Sequence, residues 1–250
     1  VALDGDYAVV GAPKKNNSLG NWEGAAYVFY WNGSSWTQQA KLVASDPAAD
    51  SRYGFQVKID GSTVVVSAPY KGSNKGKIYI YTRSGSTWSQ QATLEASDAG
   101  NDDLFGEDIS ISGDYIAANA PAWDAASTNY QGATYIFKRT GSSWTEQAIV
   151  VPDDHGTSSK FGGSLVIEGD VLAVGDHHVD NDGVTEAGAV YIFERNGTNW
   201  TQTKKLKASD ASPDEDSFGG HRGLDMDGTD MIIGAHSKDS GRGKVYIFTT

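Results

Sequence analysis

Short runs of apolar and β-branched residues recur along this chain in a fixed order, and most alternate with polar positions. Examples are "QVKI" (Gln56–Ile59), "TVVVSAP" (Thr63–Pro69), "KIYIY" (Lys77–Tyr81) and "TWSQQATL" (Thr87–Leu94). A period of two with β-branched and aromatic residues predicts strands, and no segment sustains a helical period. Strands are expected near residues 6–11, 25–30, 36–43, 55–59, 63–68 and 77–82, with equivalents onward. The first two runs of each unit are joined by "DGD", "DGS", "SGD", "EGD" or "DGT". These are two-residue hairpin signals in which Gly takes a positive φ without steric cost.

The order repeats. "NGSSWTQQAKLVASD" (Asn32–Asp46), "SGSTWSQQATLEASD" (Ser84–Asp98), "TGSSWTEQAIVVPDD" (Thr140–Asp154) and "NGTNWTQTKKLKASD" (Asn196–Asp210) are near copies. Their tryptophans, Trp36, Trp88, Trp144 and Trp200, are spaced by 52, 56 and 56 residues. Each copy is followed by "YG" or "FG" at Tyr53, Phe105, Phe161 and Phe218. Next come "SAP", "NAP", "GDH" and "GAH", after an initial "GAP" at Gly11–Pro13, and then a Tyr-x-Phe-type run centred on Tyr27, Tyr79, Tyr135, Tyr191 and Tyr246. Each unit thus holds strands a, b, c and d, with a after "FG", b ending in "GAP", c carrying the tyrosine and d the tryptophan. Four antiparallel strands every fifty-odd residues predict a β-propeller blade. The units run approximately over 1–52, 53–104, 105–160, 161–217 and 218–250, a single propeller domain. The repeated tryptophans are expected to wedge between blades. Asp46, Asp98, Asp153 and Asp210 read as turn residues that accept backbone N–H groups.

The paired "FG" and "GAP" landmarks resemble the FG-GAP repeat, the blade of the integrin α-subunit propeller and of many microbial and algal surface proteins. The likeness covers the whole chain. It implies an all-β propeller of four-stranded blades, here five units, with a fragment of a seven-bladed propeller as the alternative. It further implies an extracellular or cell-surface protein acting in adhesion. Integrin-type propellers carry Ca²⁺ in expanded a–b loops of the form D-x-D-x-D-G. Those loops are missing here, so such sites are not expected.

Composition narrows the partners. The chain of 250 residues has no cysteine, which removes thiol chemistry, and a net charge of −12, which argues against nucleic acid and anionic membranes. No apolar run reaches membrane-spanning length, and "VALDGDYAVV" lacks the charged leader of a signal peptide. No G-x-S-x-G elbow or H-E-x-x-H motif occurs, so the chain reads as non-catalytic, with a glycoside or ester hydrolase as the least favoured reading.

The a–b and c–d turns are nearly uniform, whereas the b–c loops vary in length and content. In a propeller the b–c loops share a face with the d–a linkers, so that face is the expected binding face. It carries the departures from the repeat. Trp22 and Trp123 stand in b–c loops where other units have no Trp, and are candidates for contact with a protein or a glycan. His177 and His178 stand in the "GDHH" that begins where other units have "GAP", but adjacent residues on an extended strand point to opposite faces and cannot easily share one ion. Asp180, Asp182 and Glu186 form D-x-D-G-x-x-E, an oxygen-only set suited to Ca²⁺. Asn16, Asn32, Asn196 and Asn199 open N-x-S/T sequons and are candidate glycosylation sites. The runner-up function is a carbohydrate-binding propeller. The last unit has no d strand, so Lys244–Thr250 is expected to present an unpaired edge. A segment before Val1 or a neighbouring molecule would complete it.

Overall fold

The computed structural model describes residues 1–17, 21–124, 131–154, 160–180, 184–211, 217–220 and 223–249. Blade 1 is β1 (Ala2–Asp4), β2 (Tyr7–Ala12), β3 (Ala25–Trp31) and β4 (Trp36–Leu42). Blade 2 is β5 (Val57–Asp60), β6 (Thr63–Ala68), β7 (Lys77–Ser84) and β8 (Thr87–Leu94). Blade 3 is β9 (Ile109–Ser112), β10 (Tyr115–Ala120), β11 (Ala133–Thr140) and β12 (Ser143–Val150). Blade 4 is β13 (Ser164–Glu168), β14 (Val171–Asp176), β15 (Ala189–Asn196) and β16 (Asn199–Leu206). Blade 5 has three described strands, β17 (Leu224–Asp227), β18 (Asp230–Ala235) and β19 (Lys244–Thr249). All pairings within blades are antiparallel, in sequence order, as the strand pattern predicts.

The core lies between blades. Four buried clusters form, one at each junction of successive blades. The "FG" aromatics Tyr53, Phe105, Phe161 and Phe218 are fully buried there. Each meets the tyrosine of strand c edge-on, with centroids 5.1 Å apart for Tyr53–Tyr79 and 5.4 Å for Phe105–Tyr135, a favoured aromatic geometry.

The glycines explain why the "FG" and "GAP" landmarks travel together. A methyl group on Gly11 of "GAP" would lie 2.0 Å from the carbonyl oxygen of Gly54, the "FG" glycine of the next unit. The same holds for Gly175 against Gly219, at 1.9 Å. Gly24, Gly76 and Gly188, one residue before or at the start of strand c, make isolated parallel bridges to Tyr53, Phe105 and Phe218 of the next blade. All three have positive φ, and a methyl on Gly76 would lie 2.0 Å from the Phe105 carbonyl oxygen. Each blade therefore rests on the next through backbone.

Side chains add two further stitches. The pairing of strands c and d is bulged between Val28 and Phe29, Ile80 and Tyr81, and Ile136 and Phe137, leaving Gln39, Gln91 and Gln147 as the extra residues on strand d. A bulge re-aims a side chain. Each of these glutamines accepts a hydrogen bond from the next blade's tryptophan: Trp88 Nε1 to Gln39 at 2.8 Å, Trp144 to Gln91 at 3.0 Å and Trp200 to Gln147 at 3.2 Å. The tryptophans do wedge between blades, and Trp36 of the first blade is exposed. At the opposite rim, the hairpin acid of one blade caps the next hairpin. Gly61 N–H donates to Asp4, Gly113 N–H to Asp60, and Gly228 N–H to Glu168.

The two ends of the array differ from its middle. Ile232, Val245 and Ile247 of blade 5 are 49%, 62% and 73% exposed, and Val1 and Leu3 of blade 1 are also exposed. Among the described residues no buried cluster joins blade 5 to blade 1. β19 pairs with β18 on one edge and with no described strand on the other.

Gly76→Ala is expected to lower stability by at least about 3 kcal/mol, because it sets a methyl against backbone that cannot yield. Gly61→Ala, with nothing within 4 Å of the new methyl, is expected to cost about 1 kcal/mol for its left-handed φ alone. Urea unfolding monitored by tryptophan fluorescence distinguishes the two.

Candidate functional site

At each described junction the b–c loop of one blade and the linker into the next are zipped together by backbone hydrogen bonds. At the first junction Asp50 N–H donates to Asn21 O (2.8 Å), Arg52 N–H to Trp22 O (3.0 Å) and Tyr53 N–H to Glu23 O (3.0 Å). At the second, Asp102 N–H donates to Ser73 O, Leu104 N–H to Asn74 O and Phe105 N–H to Lys75 O. The zipper holds two facing residues in the left-handed region: Trp22 (φ 31°) with Arg52 (φ 52°), Asn74 (60°) with Leu104 (61°), and Glu186 (49°) with Ser217 (54°). Lys160 (55°) stands in the linker position at the third junction. Such φ values are uncommon for residues other than Gly. Three junctions thus present a pair of side chains on a fixed backbone, and the pair differs among them.

The first junction presents aromatic rings and cations. The Arg52 guanidinium stacks on Tyr70, 3.9 Å from the ring centroid, and lies 5.2 Å from that of Trp22. Lys14 Nζ is 4.8 Å from the Trp22 centroid, and Tyr70 meets Phe55 edge-on at 5.7 Å. The Trp22 N–H donates to Asn16 Oδ1 at 2.9 Å, which pins the loop, and Trp22 remains 39% exposed. Trp22 was legible as a departure from the repeat. Arg52, Lys14 and Tyr70 were not. The available signal was position: Arg52 directly precedes "YG", and Lys14 and Tyr70 directly follow "GAP" and "SAP".

Trp123 is used differently. Its Nε1 donates to Asp98 Oδ2 at 3.0 Å, and its ring packs against the cluster between blades 2 and 3. It occupies the place that Lys71 takes beside Asp46 and Lys238 beside Asp210. The recurring aspartates are therefore interblade latches rather than turn residues that cap backbone N–H groups. Tyr79 of blade 2 donates its hydroxyl to Asp46 at 2.6 Å, Tyr135 to Asp98 at 2.6 Å and Tyr246 to Asp210 at 2.5 Å. At the third junction the latch is Asp154, not Asp153, held by Lys205 at 2.6 Å. Asp153 instead donates its backbone N–H to Gln202, as Ser97 does to Glu146. The correct residue was legible in the spacing: Asp154 stands ten residues after Trp144, as Asp46, Asp98 and Asp210 stand ten after Trp36, Trp88 and Trp200.

Burial pushes the Asp46 and Asp154 carboxyls up, but the neighbouring hydroxyl and ammonium groups outweigh it and hold both below the usual range. Lys244 and Tyr246 bring Asp210 down to about 2. Burial, and then the aspartate, drive the Tyr79, Tyr135 and Tyr191 hydroxyls well up.

His177 and His178 do not point to opposite faces, because β14 ends at Asp176 and both lie in the turn beyond it. Their rings pack at 4.2 Å. His177 fills space left by Gly163 and Gly220, where methyl groups would lie 2.6 and 2.7 Å from it. The "FGG" in place of "FGx" in units four and five thus accommodates the imidazole. His178 Nδ1 lies 3.0 Å from Glu186 Oε1, and Glu186 N–H donates to Asp180 Oδ1 at 2.9 Å. Asp182 lies outside the described residues. Among those residues no group of three or more His, Asp or Glu side chains is placed to hold a metal ion. Asn16, Asn32, Asn196 and Asn199 are all exposed, and Asn32 Oδ1 accepts the Ser34 and Ser35 N–H groups of its turn.

Four-stranded blades joined in this way define a β-propeller array. The chain belongs to the FG-GAP repeat family, which matches residues 1–29, 36–81, 88–137, 144–193 and 200–248. No curated protein sequence matches it. Among solved structures it is similar to an acylaminoacyl peptidase from Pyrococcus horikoshii, with 14% identity, a TM-score of 0.56 and 99% of this chain covered. It spans 37% of that chain's length. It is also similar to a putative 6-phosphogluconolactonase from Bacteroides uniformis, with 13% identity, a TM-score of 0.53, and coverage of 98% of this chain and 69% of the other. At such identities the likeness concerns the fold.

The latches predict a pH dependence. Folded Asp46, Asp154 and Asp210 hold their protons less tightly than when unfolded, so their contribution is present above about pH 4 and lost as pH falls toward about 2. The tyrosines, raised when folded, lose theirs as pH rises above about 10. Asp46→Asn is expected to flatten the acid limb of the urea midpoint between pH 5 and pH 2.5. Tyr79→Phe is expected to cost about 1.5–3 kcal/mol at pH 7.

Proposed function

We propose that this chain is a non-catalytic recognition propeller working outside the cell in adhesion or surface assembly, and that it meets a protein or matrix partner through its b–c/d–a face. The observation that carries this reading is the contrast between the two rims. One rim repeats the same hairpin and the same acid-to-glycine stitch. The other presents a different pair of side chains at three described junctions, held in costly backbone conformations. Strain retained at exposed positions is typical of binding sites. A carbohydrate partner is a second reading, favoured by the half-exposed indole of Trp22 with cations around it.

The free edge of β19 offers a further contact. We propose that a neighbouring strand pairs along Lys244–Thr249, since alternating apolar residues beside unpaired backbone groups invite strand addition.

Binding to immobilised surface-matrix material, measured by interferometry, tests the first reading. Trp22→Ala is expected to weaken it at least about tenfold, with little change in Tm. Ser86→Lys, on the opposite rim, is expected to leave it unchanged. Equal binding by all three proteins would overturn the assignment of the face, and turnover of a glycoside or ester would move the chain to the hydrolases. Sedimentation tests the edge: self-association should rise with concentration and be suppressed by Val245→Lys with Ile247→Lys.

A further inference from the structure

We propose that the junction between blades 1 and 2 binds an acidic saccharide, with the carboxylate of a hexuronate held by Arg52 and Lys14 against the indole of Trp22. The proposal rests on the b–c/d–a face being the binding face, and it names the chemistry of the ligand.

Two cations of the first junction contact no carboxylate among the described residues. In a chain of net charge −12, Arg139, Arg195, Lys71, Lys77, Lys205 and Lys244 all contact carboxylates. Among the described residues, Arg52 and Lys14 contact none. Their neighbours are rings: Tyr70 and Trp22 for Arg52, and Trp22 for Lys14. The Arg52 Nε is buried without a hydrogen-bond partner. Stacking on Tyr70 fixes the plane of the guanidinium, so its donors are oriented before a ligand arrives. A planar fork of this kind matches a carboxylate or sulfate oxygen pair.

Backbone geometry gives a second, independent observation. Trp22 and Arg52 are held at φ 31° and 52°, and joined by the Arg52 N–H to Trp22 O bond of 3.0 Å. At the equivalent places in the next junction stand Asn74 and Leu104, which cannot form a cation–aromatic site. Among the described loops of this rim, the first junction combines aromatic rings with cations that contact no carboxylate; Arg83 stacks likewise on Tyr7, but from within β7.

The saccharide class follows from the pairing of groups. The indole lies within about 5 Å of both positive charges, so the ligand must place apolar surface and negative charge equally close together. A hexuronate does so rigidly, with its carboxylate on a ring whose C–H face suits an aromatic wall. An acidic peptide carries its carboxylates on flexible stems and would lose more freedom on binding. The chain's overall negative charge does not forbid such a ligand. At physiological ionic strength charges beyond about 8 Å are largely screened, and the local pair dominates. The nearest carboxyls in sequence are Glu23, buried beside Trp22, and Asp50, exposed and two residues from Arg52.

Calorimetric titration with hexagalacturonate tests the proposal, with cellohexaose and hexaglutamate as neutral and peptide controls. The wild type is expected to bind hexagalacturonate alone, more weakly as salt rises. Arg52→Gln and Lys14→Gln should each weaken binding at least tenfold, and Asp50→Asn should tighten it. Cellohexaose or hexaglutamate binding as strongly as hexagalacturonate would overturn the assignment, as would Arg52→Gln binding unchanged. If the binding face itself is wrong, Trp22→Ala leaves matrix association intact. If only the ligand class is wrong, matrix association still depends on Trp22 while hexagalacturonate does not bind.

Discussion

The whole array depends on a backbone-to-backbone approach that only glycine permits. Where Gly76 meets Phe105, or Gly11 meets Gly54, there is no room for even one methyl group. This close seating brings each "FG" aromatic under the strand-c tyrosine and buries it completely. It also sets the distance over which the side-chain stitches reach. Backbone hydrogen bonding alone would leave five separate small sheets, each marginal in water. The glycine contacts make neighbouring sheets share cores.

Around that contact the repeat distributes three kinds of polar link. The aspartate–tyrosine latch lies on the variable rim, the tryptophan–glutamine bond on the outer strands, and the acid-to-glycine cap on the opposite rim. Each joins a residue of one blade to the next, at the two rims and on the outer strands. Among the described residues the first and last blades are each covered on one side, and the difference is visible in side chains whose counterparts are more buried elsewhere. Trp36 meets no glutamine partner among the described residues and stays exposed, as do Ile232, Val245 and Ile247.

Rigidity at the junctions is also what makes the variable rim useful. The b–c loop and the linker are zipped at each described junction, so a change of side chain at the paired left-handed positions alters chemistry without altering the frame. Blade 1 to 2 presents Trp22 and Arg52, blade 2 to 3 Asn74 and Leu104, and blade 4 to 5 Glu186 and Ser217. Departures from the repeat divide accordingly. Trp123 repairs a latch, His177 fills a space opened by two glycines, and Trp22 faces outward.

Strand order, blade boundaries and the family were determined by the sequence itself, because period-two patterning and turn glycines act locally and repeat five times. The wedging of Trp88, Trp144 and Trp200 was legible for the same reason. The partners of the repeated residues were not. That Asp46 answers Tyr79 and that Gln39 answers Trp88 are facts of blade-to-blade register, set in part by bulges, whereas the third latch, Asp154, could have been read from its spacing ten residues after Trp144. The separate fates of Trp22 and Trp123 were likewise decided only in three dimensions. An indole becomes a latch or a surface according to which residue of the next blade lies within reach, and that distance is fixed by packing between units some fifty residues apart.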